Sequence, residues 1–356
     1  MTRVHQFHPV LSPGDAMSDH VFALHDRIRG WGHEAEAYAI EAKPGVEREV
    51  VPYRRLFREV RPEDTLILHY SMGSEVFDQL AKLSCRRVLV YHNVTPPEFF
   101  MGINAHAAAA ARLGRRRLAA LAPRIDLAIG VSDYNTRELV AAGFTPTAAV
   151  PILIDWSRFA IAPDQTVLNA WSGPEAAGTK LLFVGRISPN KRQDELIRML
   201  AYYRRCIDPA AQLLLVGASR DQPQYRQRLH ALVRALALEA GVSFSGPVSQ
   251  AELVAYYRCA SVFVSLSEHE GFGIPLLEAM HHRVPVVALD RAAVGETVGG
   301  AGVLLRDKDL AAAAEACALV VEREELRSAL IAAGLRRVED FSADRVAERT
   351  RAVLGL

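Results

Sequence analysis

The sequence predicts two α/β domains, each built on a parallel sheet, and two observations support this fold class. Short apolar runs alternate with amphipathic stretches along most of the chain. The apolar runs are continuous and often β-branched, which is typical of parallel strands that are covered on both faces. This alternation of strands and helices indicates doubly wound, Rossmann-like domains.

The individual elements follow from the same pattern. Buried strands are predicted at 66–68, 88–91, 127–131, 149–152, 180–184, 212–216, 262–266 and 284–288. Helices are predicted at 20–31, 133–142, 194–206, 224–240 and 250–259. Ligands of doubly wound sheets bind at the carboxyl ends of the strands, so we expect the residues just after the strands to carry the chemistry.

The domain boundaries are predicted from length and from two breaks in the alternation. A chain of 356 residues suggests two domains at roughly 150 residues per domain. Prolines and glycines interrupt the alternation at 156–179, which predicts a linker, and a second break precedes a last helix at 343–354. We therefore predict three parts, at 1–160, 161–340 and 341–356.

Composition excludes several classes of protein. The 42 Lys and Arg residues nearly balance the 41 Asp and Glu residues, which argues against nucleic acid as a partner. No apolar run approaches the ~20 residues of a membrane span, and the first residues contain no apolar segment of a signal peptide. The four cysteines form no C-x-x-C pair, which argues against a zinc ribbon and a disulfide framework. A cytoplasmic protein is therefore expected.

The first candidate site follows the strand at 180–184. Gly185 permits a tight exit from the strand, and Arg186 and Lys191 place two cations before the next helix, which begins near Gln193. The N-terminus of that helix adds the positive end of a dipole, and the planar fork of an arginine suits a phosphate. This segment alone leaves open whether it is an anion site or a solvated charged loop.

The second candidate site follows the strand at 262–266. Gly271 and Gly273 allow the backbone to approach a ligand closely. Pro275 suits the first turn of a helix, because its missing N–H would be unpaired there. The N–H groups of residues 272–274 are then expected to face a ligand.

Two carboxylates flank this second site. Glu270 lies before the glycines, and Glu278 lies about one turn into the predicted helix. Carboxylates accept hydrogen bonds and pair naturally with the hydroxyls of sugars. The alternative to a sugar site is that Glu270 caps the helix and Glu278 lies on a solvated helix face. Both alternatives stay open, because a Gly-x-Gly motif alone is weak evidence for a binding site.

Taken together, the two segments resemble a known family. The pattern Gly-Arg-x-x-Pro-x-Lys at 185–191 precedes Glu-Gly-Phe-Gly-x-Pro-x-x-Glu-Ala at 270–279. This arrangement resembles the retaining nucleotide-sugar glycosyltransferases of glycosyltransferase family 4, which have the GT-B fold. Glu270 and Glu278 match the E-x7-E motif of that family, and the resemblance covers essentially the whole second domain.

The resemblance implies two Rossmann-like domains that face a central cleft. It implies that 1–160 binds an acceptor and that 161–340 binds a donor composed of a nucleoside diphosphate and a hexose. The last helix, at 343–354, is expected to pack back across the hinge. No metal or cofactor is expected, because the two cations and the backbone N–H groups would stabilise the leaving diphosphate.

The resemblance also implies a role for each residue of the second domain. Arg186 and Lys191 would bind the diphosphate, Glu278 the ribose hydroxyls and Glu270 the hydroxyls of the transferred hexose. The backbone near Val248 would form the base-binding edge. The candidate donor site comprises Gly185, Arg186, Lys191, Val248, Glu270, Gly271, Phe272, Gly273, Ile274 and Glu278.

The first domain matches the family more loosely. The segment at 12–17 stands where the family places a glycine-rich phosphate loop, so Gly14 joins the candidate donor-binding residues. The segment has this single glycine in place of the common pair, which weakens the assignment. His92 follows the strand at 88–91 and matches a family histidine that touches the sugar, so it joins Arg186, Lys191 and Glu270 as a candidate catalytic residue. A structural histidine is the alternative. His69 lies on the same rim and is the weaker candidate.

Two further features have simpler interpretations. Asp307-Lys308-Asp309 has the form of a metal-binding motif, but it precedes a predicted helix at 310–321, where an aspartate is a normal N-cap. A basic run could contact anionic lipid, at ~1 kcal/mol per cation, although a solvated face is the commoner case. This run comprises Arg112, Arg115, Arg116, Arg117 and Arg124, with Arg54, Arg55, Arg58 and Arg61 as a second group.

The predicted function is a metal-independent, retaining hexosyltransferase. The donor is expected to be a GDP- or UDP-hexose, with a lean to mannose or glucose, and the acceptor a glycan, a lipid-linked glycan or a small molecule. The matched segments of the first domain show no carboxylate suited to a double displacement, so a same-face reaction is the working hypothesis. The alternatives are a GT-B protein that binds a nucleotide sugar without transfer, and a nucleotide-sugar epimerase. An NAD-dependent oxidoreductase is disfavoured, because no G-x-G-x-x-G motif follows the first strand.

Overall fold

The computed structural model describes residues 3–173, 176–219 and 221–356, and the chain divides into two compact units. Unit 1 comprises Met1–Glu98, His106–Trp156 and Phe341–Leu356. Unit 2 comprises Phe99–Ala105 and Ser157–Asp340. Each unit is an α/β structure with one large parallel sheet, which confirms the predicted fold class.

The sheet of unit 1 has seven parallel strands. They are β1 Arg3–Phe7, β3 Glu34–Ala39, β5 Val50–Pro52, β6 Thr65–Tyr70, β7 Arg86–Tyr91, β8 Leu127–Gly130 and β9 Thr147–Ala149. Two further short strands, β2 Val10–Leu11 and β4 Glu41–Ala42, pair with each other in a separate ladder. The order across the sheet is β5-β3-β1-β6-β7-β8-β9. The chain order reverses between β1 and β6, so the carboxyl ends of these two strands form the switch point where ligands of doubly wound sheets bind.

The helices of unit 1 connect these strands in the expected alternation. They are α1 Ala16–Gly30, α2 Leu56–Glu59, α3 Glu75–Leu80, α4 Ala105–Leu121 and α5 Asp133–Ala141. The Asp15 side chain caps α1 by accepting from the Ser18 N–H at 3.2 Å, so this helix begins earlier than the predicted position at residue 20.

The sheet of unit 2 has six parallel strands. They are β10 Lys180–Val184, β11 Gln212–Val216, β12 Val242–Gly246, β13 Val262–Ser265, β14 Val286–Leu289 and β15 Val303–Leu305. The order is β12-β11-β10-β13-β14-β15, with the switch point between β10 and β13. The helices are α6 Gln165–Ser172, α7 Gln193–Cys206, α8 Pro223–Ala235, α9 Gln250–Cys259, α10 Ile274–His281, α11 Val294–Val298, α12 Leu310–Glu322 and α13 Glu324–Asp340.

Three predicted elements differ from the structure for local reasons. The helix predicted at 224–240 ends at Ala235, because Ala237 adopts a positive φ of 53°. The strand predicted at 149–152 ends at Ala149, before Pro151, which has no N–H for a ladder bond. The predicted linker at 156–179 contains α6, whose N-terminus is capped by Asp164. Two residues of that linker, at 174–175, lie outside the described residues.

The last helix, α14 Ala343–Leu354, belongs to unit 1 although the chain reaches it from unit 2. Just before it, Trp156 Nε1 donates to the Phe341 carbonyl at 3.0 Å, and within it Asp344 pairs with Arg27 at 2.8 Å. These contacts hold the end of the chain on unit 1. Among the helices described, none combines the length and the apolarity needed to cross a membrane.

Candidate functional site

The two sequence motifs of unit 2 meet at the switch point of its sheet. β10 pairs with β13 through Leu181 with Val262 and Leu182 with Phe263, so the loops that follow these strands are neighbours. We call residues 185–192 the cationic loop and residues 266–273 the acidic loop. The structure thereby brings together the two segments that the sequence separates.

Asn190 joins the two loops. Its side-chain Nδ2 donates to the His269 carbonyl at 3.0 Å, and its own carbonyl accepts from the Glu268 N–H at 2.9 Å. Ser188 Oγ donates to Asn190 Oδ1 at 2.6 Å, and the Asn190 side chain is buried. Sequence analysis missed this residue, because an asparagine in a loop is normally taken as a turn former.

An ion pair crosses between the loops. Lys191 Nζ donates to Glu270 Oε2, so a cation and a carboxylate that were predicted to act separately are partners here. Their side chains are 20% and 14% exposed. Arg186 is different, because it is exposed and, within the described residues, its guanidinium makes no ion pair or hydrogen bond. The cationic loop therefore keeps one uncompensated positive charge that suits an anion.

The backbone at the start of the cationic loop packs closely against the end of β11. The Gly185 N–H donates to the Val216 carbonyl at 2.9 Å, and a Cβ atom on Gly217 would lie 2.2 Å from the Gly185 oxygen. Gly217 N–H in turn donates to the Gly246 carbonyl at 3.1 Å. Val248, the predicted base-binding position, follows this contact and is half-buried. These bonds place the strand ends of β10, β11 and β12 side by side.

The acidic loop runs into α10 through a left-handed residue. Gly273 has φ 94° and ψ 47°, and no side chain among the described residues caps the helix. A Cβ atom on Gly273 would lie 2.8 Å from Leu276 Cδ1, so both the conformation and the space favour glycine. Phe272 is buried, whereas Gly271 and Ile274 are half-buried on either side of the turn. The first turn of α10 thus presents an uncapped N-terminus, as an anion site requires.

Glu278 is buried in α10 and both of its oxygens are engaged. Arg158 Nη2 donates to Oε1 at 2.5 Å, and the Tyr257 hydroxyl donates to Oε2 at 2.7 Å. The side chain of Glu278 is 5% exposed, so it does not lie on a solvated helix face. Burial and the neighbouring carboxylate raise the pKa of Tyr257 well above its ordinary value of 10, so Tyr257 stays a hydrogen-bond donor. Each carboxylate oxygen keeps a second lone pair for a ligand hydroxyl.

A second charged cluster supports the cationic loop from the side of α7. Arg192 has a left-handed backbone, with φ 53°, and its guanidinium pairs with Glu195 at 2.5 Å and Glu268 at 2.9 Å. Lys308 contacts the same two carboxylates. Asp309 accepts from the N–H groups of residues 311 and 312 and caps α12, which confirms the N-cap interpretation of the Asp-Lys-Asp segment.

Gly14 lies in unit 1, between β2 and α1, with a positive φ of 68°. It therefore takes the conformation expected of a glycine-rich turn. The next residue, Asp15, places its carboxylate on the N-terminus of α1, accepting from the Ser18 N–H. A carboxylate at this position repels a phosphate, which disfavours a phosphate role for this turn.

His92 lies at the carboxyl end of β7 in a cluster of buried histidines. Its Nε2 lies 3.0 Å from Nδ1 of His69, and the rings of both contact the ring of His20 edge to face. The three side chains place one nitrogen each within 4.8 Å of one another. His69 Nε2 lies 2.9 Å from Oε1 of Gln6, a buried residue of β1 that sequence analysis missed.

These histidines are held neutral by their surroundings. Burial lowers the pKa of His20 to about 4, against an ordinary value of 6.5. Burial, and then the neighbouring histidines, lower the pKa values of His69 and His92 well below that value. Neutral imidazoles each carry one donor and one acceptor nitrogen, so the cluster has a defined pattern of protons.

Comparisons with known sequences identify a family and two curated relatives. The family described as glycosyl transferases group 1 matches residues 172–337. The D-inositol 3-phosphate glycosyltransferase of Kineococcus radiotolerans is 32% identical over 67% of this chain and 58% of its own length. The GDP-mannose-dependent alpha-(1-6)-phosphatidylinositol monomannoside mannosyltransferase of Mycobacterium tuberculosis is 30% identical over 56% of this chain and 54% of its own length. The chain thus spans little more than half the length of these curated relatives.

A solved structure matches the whole chain in fold. HepE from Anabaena, determined in complex with UDP and glucose, superposes with a TM-score of 0.78 at 20% identity and covers 100% of both chains. The structural neighbours have the GT-B fold, which confirms the predicted architecture of two Rossmann-like units.

Proposed function

We propose that this protein transfers a hexose from a nucleoside-diphosphate sugar to an acceptor hydroxyl, because residues 172–337 match the glycosyl transferases group 1 family and the chain has the GT-B fold. The observation that carries the proposal is the meeting of the cationic and acidic loops at the switch point of unit 2. The two loops and the helix that follows them carry an exposed arginine, a lysine–glutamate pair, a helix N-terminus that no described side chain caps, and a buried carboxylate.

The chemistry of such a transfer fits the charges of this site. When the bond between the anomeric carbon and the phosphate oxygen breaks, negative charge grows on the diphosphate. Arg186, Lys191 and the N-terminus of α10 are the positive groups proposed to stabilise that charge, and groups that stabilise developing charge usually supply the largest catalytic effect. Because they are protein groups, the proposed reaction needs no metal.

Glu270 and Glu278 have different proposed roles because their surroundings differ. Glu270 is partly exposed and paired with Lys191, so it holds the lysine in place and offers its second oxygen to hydroxyls of the hexose. Glu278 is buried and oriented by Arg158 and Tyr257, so it offers a fixed pair of acceptors to the ribose hydroxyls. The predicted contact of His92 with the transferred sugar stays a prediction.

The proposed stereochemical outcome is retention. The acceptor oxygen forms its bond to the anomeric carbon on the face from which the phosphate leaves. The departing phosphate oxygen takes the acceptor proton, so no protein carboxylate is needed as a nucleophile. Proton NMR of the first product formed would show the anomeric configuration of the donor kept, and an inverted product would contradict this proposal.

The donor and the acceptor are proposed from the relatives. The Mycobacterium tuberculosis relative is named for GDP-mannose, and the HepE structure contains UDP and glucose, so GDP-mannose and UDP-glucose are the donors to test first. The names of the two curated relatives contain D-inositol 3-phosphate and phosphatidylinositol monomannoside. We therefore propose a hydroxylated or lipid-linked acceptor of the glycan or polyol class.

Contact with an anionic membrane is proposed for helix α4. Arg112 and Arg116 are exposed on it beside Leu113, a large apolar side chain that is 46% exposed. Arg115 and Arg117 are engaged instead in ion pairs with carboxylates of unit 1. Cations beside an apolar side chain match the composition of a surface that binds anionic lipid.

One experiment separates transfer from its alternatives. Thermal unfolding is measured with UDP, GDP and ADP, because a bound nucleotide stabilises the protein by mass action. The matching nucleotide sugar is then incubated with the protein, with and without a polyol acceptor, and the products are separated by chromatography. Release of nucleoside diphosphate supports transfer or its hydrolytic side reaction.

The other outcomes assign the protein elsewhere. Stabilisation without release of nucleoside diphosphate from any donor would contradict turnover and favour a binding protein. A changed sugar that remains attached to the nucleotide would indicate an epimerase. The variant Arg205→Ala is a matched control for cationic-loop variants, since Arg205 is exposed on α7 and lies outside both loops.

A further inference from the structure

The switch point of unit 1 carries a chain of hydrogen bonds between buried side chains. Gln6 lies in β1 and His69 lies in β6, at the place where the strand order reverses, and His92 follows the next strand, β7. Gln6 Oε1 is 2.9 Å from His69 Nε2, and His69 Nδ1 is 3.0 Å from His92 Nε2. Gln6 Nε2 ends the chain at the Val21 carbonyl, at 3.1 Å.

The direction of this chain follows from its last member. A backbone carbonyl can only accept, so the amide nitrogen of Gln6 must face Val21 and its oxygen must face His69. His69 Nε2 therefore carries the proton, and its Nδ1 must accept, since a neutral imidazole has one proton. His92 Nε2 is then the donor to His69, and His92 Nδ1 holds a lone pair.

His92 Nδ1 is the unsatisfied end of the chain. This atom is buried and has no hydrogen-bond partner among the described residues, while the His92 side chain is 9% exposed. An acceptor left without a donor at such depth costs free energy, so a buried lone pair of this kind suits a ligand donor. The position of His92 directly after β7 is also consistent with a ligand contact, because residues that follow a parallel strand line the edge of the sheet where ligands bind.

A metal ion is the competing explanation for three neighbouring histidines. His20 Nδ1 accepts from the Leu153 N–H at 2.9 Å, so the proton of neutral His20 lies on Nε2. A metal bound by His20, His69 and His92 would need a lone pair from each ring. His20 has no lone pair left for a metal, because its Nδ1 accepts from Leu153 and its Nε2 carries the proton. The lone pair of His69 already accepts from His92. The hydrogen-bond pattern therefore favours a proton chain over a metal site.

We propose that Gln6 and His69 are positioning residues that fix His92 as its Nε2–H tautomer, so that Nδ1 accepts a hydrogen bond from a ligand hydroxyl at the strand ends of unit 1. The ligand class is a sugar or another polyol, and that part of the inference rests on the proposed function. The tautomer itself does not depend on it. The chain holds His92 neutral, and a neutral acceptor orients a hydroxyl without taking its proton.

The test joins a spectroscopic readout to a kinetic one. Long-range proton–nitrogen NMR of the full chain labelled at histidine reports which nitrogen of His92 is protonated. His69→Leu removes the acceptor that fixes the tautomer, whereas His69→Asn keeps an acceptor oxygen near the position of Nδ1. His5→Leu is the matched control, because His5 is equally buried in β1 but lies next to Asp64 and outside the chain. Turnover of the nucleotide sugar and affinity for the free nucleotide are measured for each variant.

The expected results are specific to positioning. His92 is protonated at Nε2 in the unaltered protein, in His69→Asn and in His5→Leu. His69→Leu loses this single tautomer, and its turnover falls at least tenfold while its affinity for free nucleotide stays within twofold. His69→Asn recovers most of the turnover.

Three outcomes would overturn the inference, in distinguishable ways. A proton on Nδ1 of His92 in the unaltered protein refutes the proposed direction of the hydrogen bonds from His92 to Gln6, whether or not the protein is a transferase. The expected tautomer together with full turnover in His69→Leu refutes the ligand role. If no nucleotide sugar turns over, the proposed function fails and the sugar ligand fails with it, while the NMR result still decides the tautomer.

Discussion

Arg158 Nη2 lies 2.5 Å from Oε1 of Glu278, although 120 residues separate the two along the chain. Glu278 is 4% exposed, so its charge is compensated by Arg158 and by the Tyr257 hydroxyl more than by water. The pair connects the start of the Ser157–Asp340 segment of unit 2 to α10, the helix that follows the turn at Gly273. Arg158 is therefore expected to control both the stability of unit 2 and the orientation of Glu278.

The Arg158 variant tests stability. Arg158→Leu leaves a buried carboxylate without its cation, and breaking such a pair on one side costs about 3 kcal/mol of unfolding free energy. Urea denaturation of the variant and of Arg205→Leu measures this cost, and we expect the control to change by less than about 0.5 kcal/mol. An equal, small effect in both variants would show that Glu278 is compensated by other groups.

A milder change isolates the ligand role of Glu278. Glu278→Gln keeps an acceptor oxygen for Arg158, and its amide NH2 donates to the Tyr257 hydroxyl oxygen in place of the bond that Tyr257 donates to Glu278. Both side-chain contacts are therefore expected to persist, while the charge-assisted bonds to ribose are lost. Such bonds contribute about 1.5–3 kcal/mol, so nucleoside-diphosphate affinity is expected to fall at least tenfold. Isothermal titration with the nucleotide that stabilises the protein measures this change. An unaltered dissociation constant would remove Glu278 from the ribose site.

The Lys191 variant tests the leaving-group role. Lys191→Ala removes a fixed positive charge from the developing diphosphate, and we expect kcat to fall by 100-fold or more. Thermal unfolding checks that the fold survives. Lys191→Arg keeps the charge and is expected to retain part of the activity, whereas Arg205→Ala is expected to retain all of it. Wild-type kcat in Lys191→Ala would contradict the assignment.

The positions of the candidate residues in unit 2 were largely predictable, because these residues lie in two short segments after adjacent strands. Residue type and strand position pointed to Arg186, Lys191, Glu270 and Glu278 as candidates, and the family resemblance supplied the role predicted for each. The pairing of Lys191 with Glu270 could not, since the order of strands across the sheet decides which loops meet. Arg158 was also missed, because it lies in the segment that was predicted to be a linker.

Unit 1 was less predictable, because the sequence of its central strand, β1, lacks the apolar pattern of a buried strand. β1 reads Arg-Val-His-Gln-Phe, and its polar His5 and Gln6 broke the apolar pattern that marks a buried strand. Both side chains are buried nevertheless, and Gln6 is satisfied by Val21 and His69. A buried polar residue that completes a hydrogen-bond network cannot be distinguished in sequence from a surface residue.

Metal independence predicts activity in a chelator. Because the diphosphate is stabilised by Arg186, Lys191 and a helix N-terminus in the proposed reaction, turnover is expected to be unchanged by an excess of EDTA. Assays after dialysis against EDTA, with and without added Mg²⁺ or Zn²⁺, measure this. Loss of turnover that Mg²⁺ restores would bring Asp307 back into consideration, and restoration by Zn²⁺ alone would favour a metal at the histidine cluster.

The membrane proposal predicts a charge-dependent affinity for vesicles. At about 1 kcal/mol per cation near an anionic surface, Arg112→Gln with Arg116→Gln is expected to weaken binding to phosphatidylserine vesicles roughly 30-fold. The matched control replaces Arg198 and Arg205, two exposed arginines of α7 in unit 2. Sedimentation with anionic and with neutral vesicles measures the effect. Equal losses in both double variants would indicate attraction by overall charge instead of a surface on α4.

The histidine cluster predicts that unit 1 loses stability as the pH falls. The pKa of His20 is lowered to about 4 in the folded chain, and it returns to 6.5 on unfolding. The unfolded chain therefore binds more protons between those values, so the stabilisation is present above pH 6.5 and is lost as the pH falls towards 4. Between pH 7 and pH 5 this residue alone accounts for about 2 kcal/mol of unfolding free energy. His8, His69 and His92 act in the same direction, because burial also lowers their pKa values.

Urea denaturation at the two pH values measures this loss. Trp171→Phe removes the tryptophan of unit 2, so that fluorescence reports Trp31 and Trp156 of unit 1. In that background His20→Asn keeps an acceptor for the Leu153 N–H but has no titrating group, and the loss between pH 7 and pH 5 is expected to shrink by about 2 kcal/mol. An unchanged pH dependence would mean that His20 does not titrate on unfolding. The loss of stability would then come from other buried histidines of unit 1, such as His8, His69 and His92, whose pKa values burial also lowers.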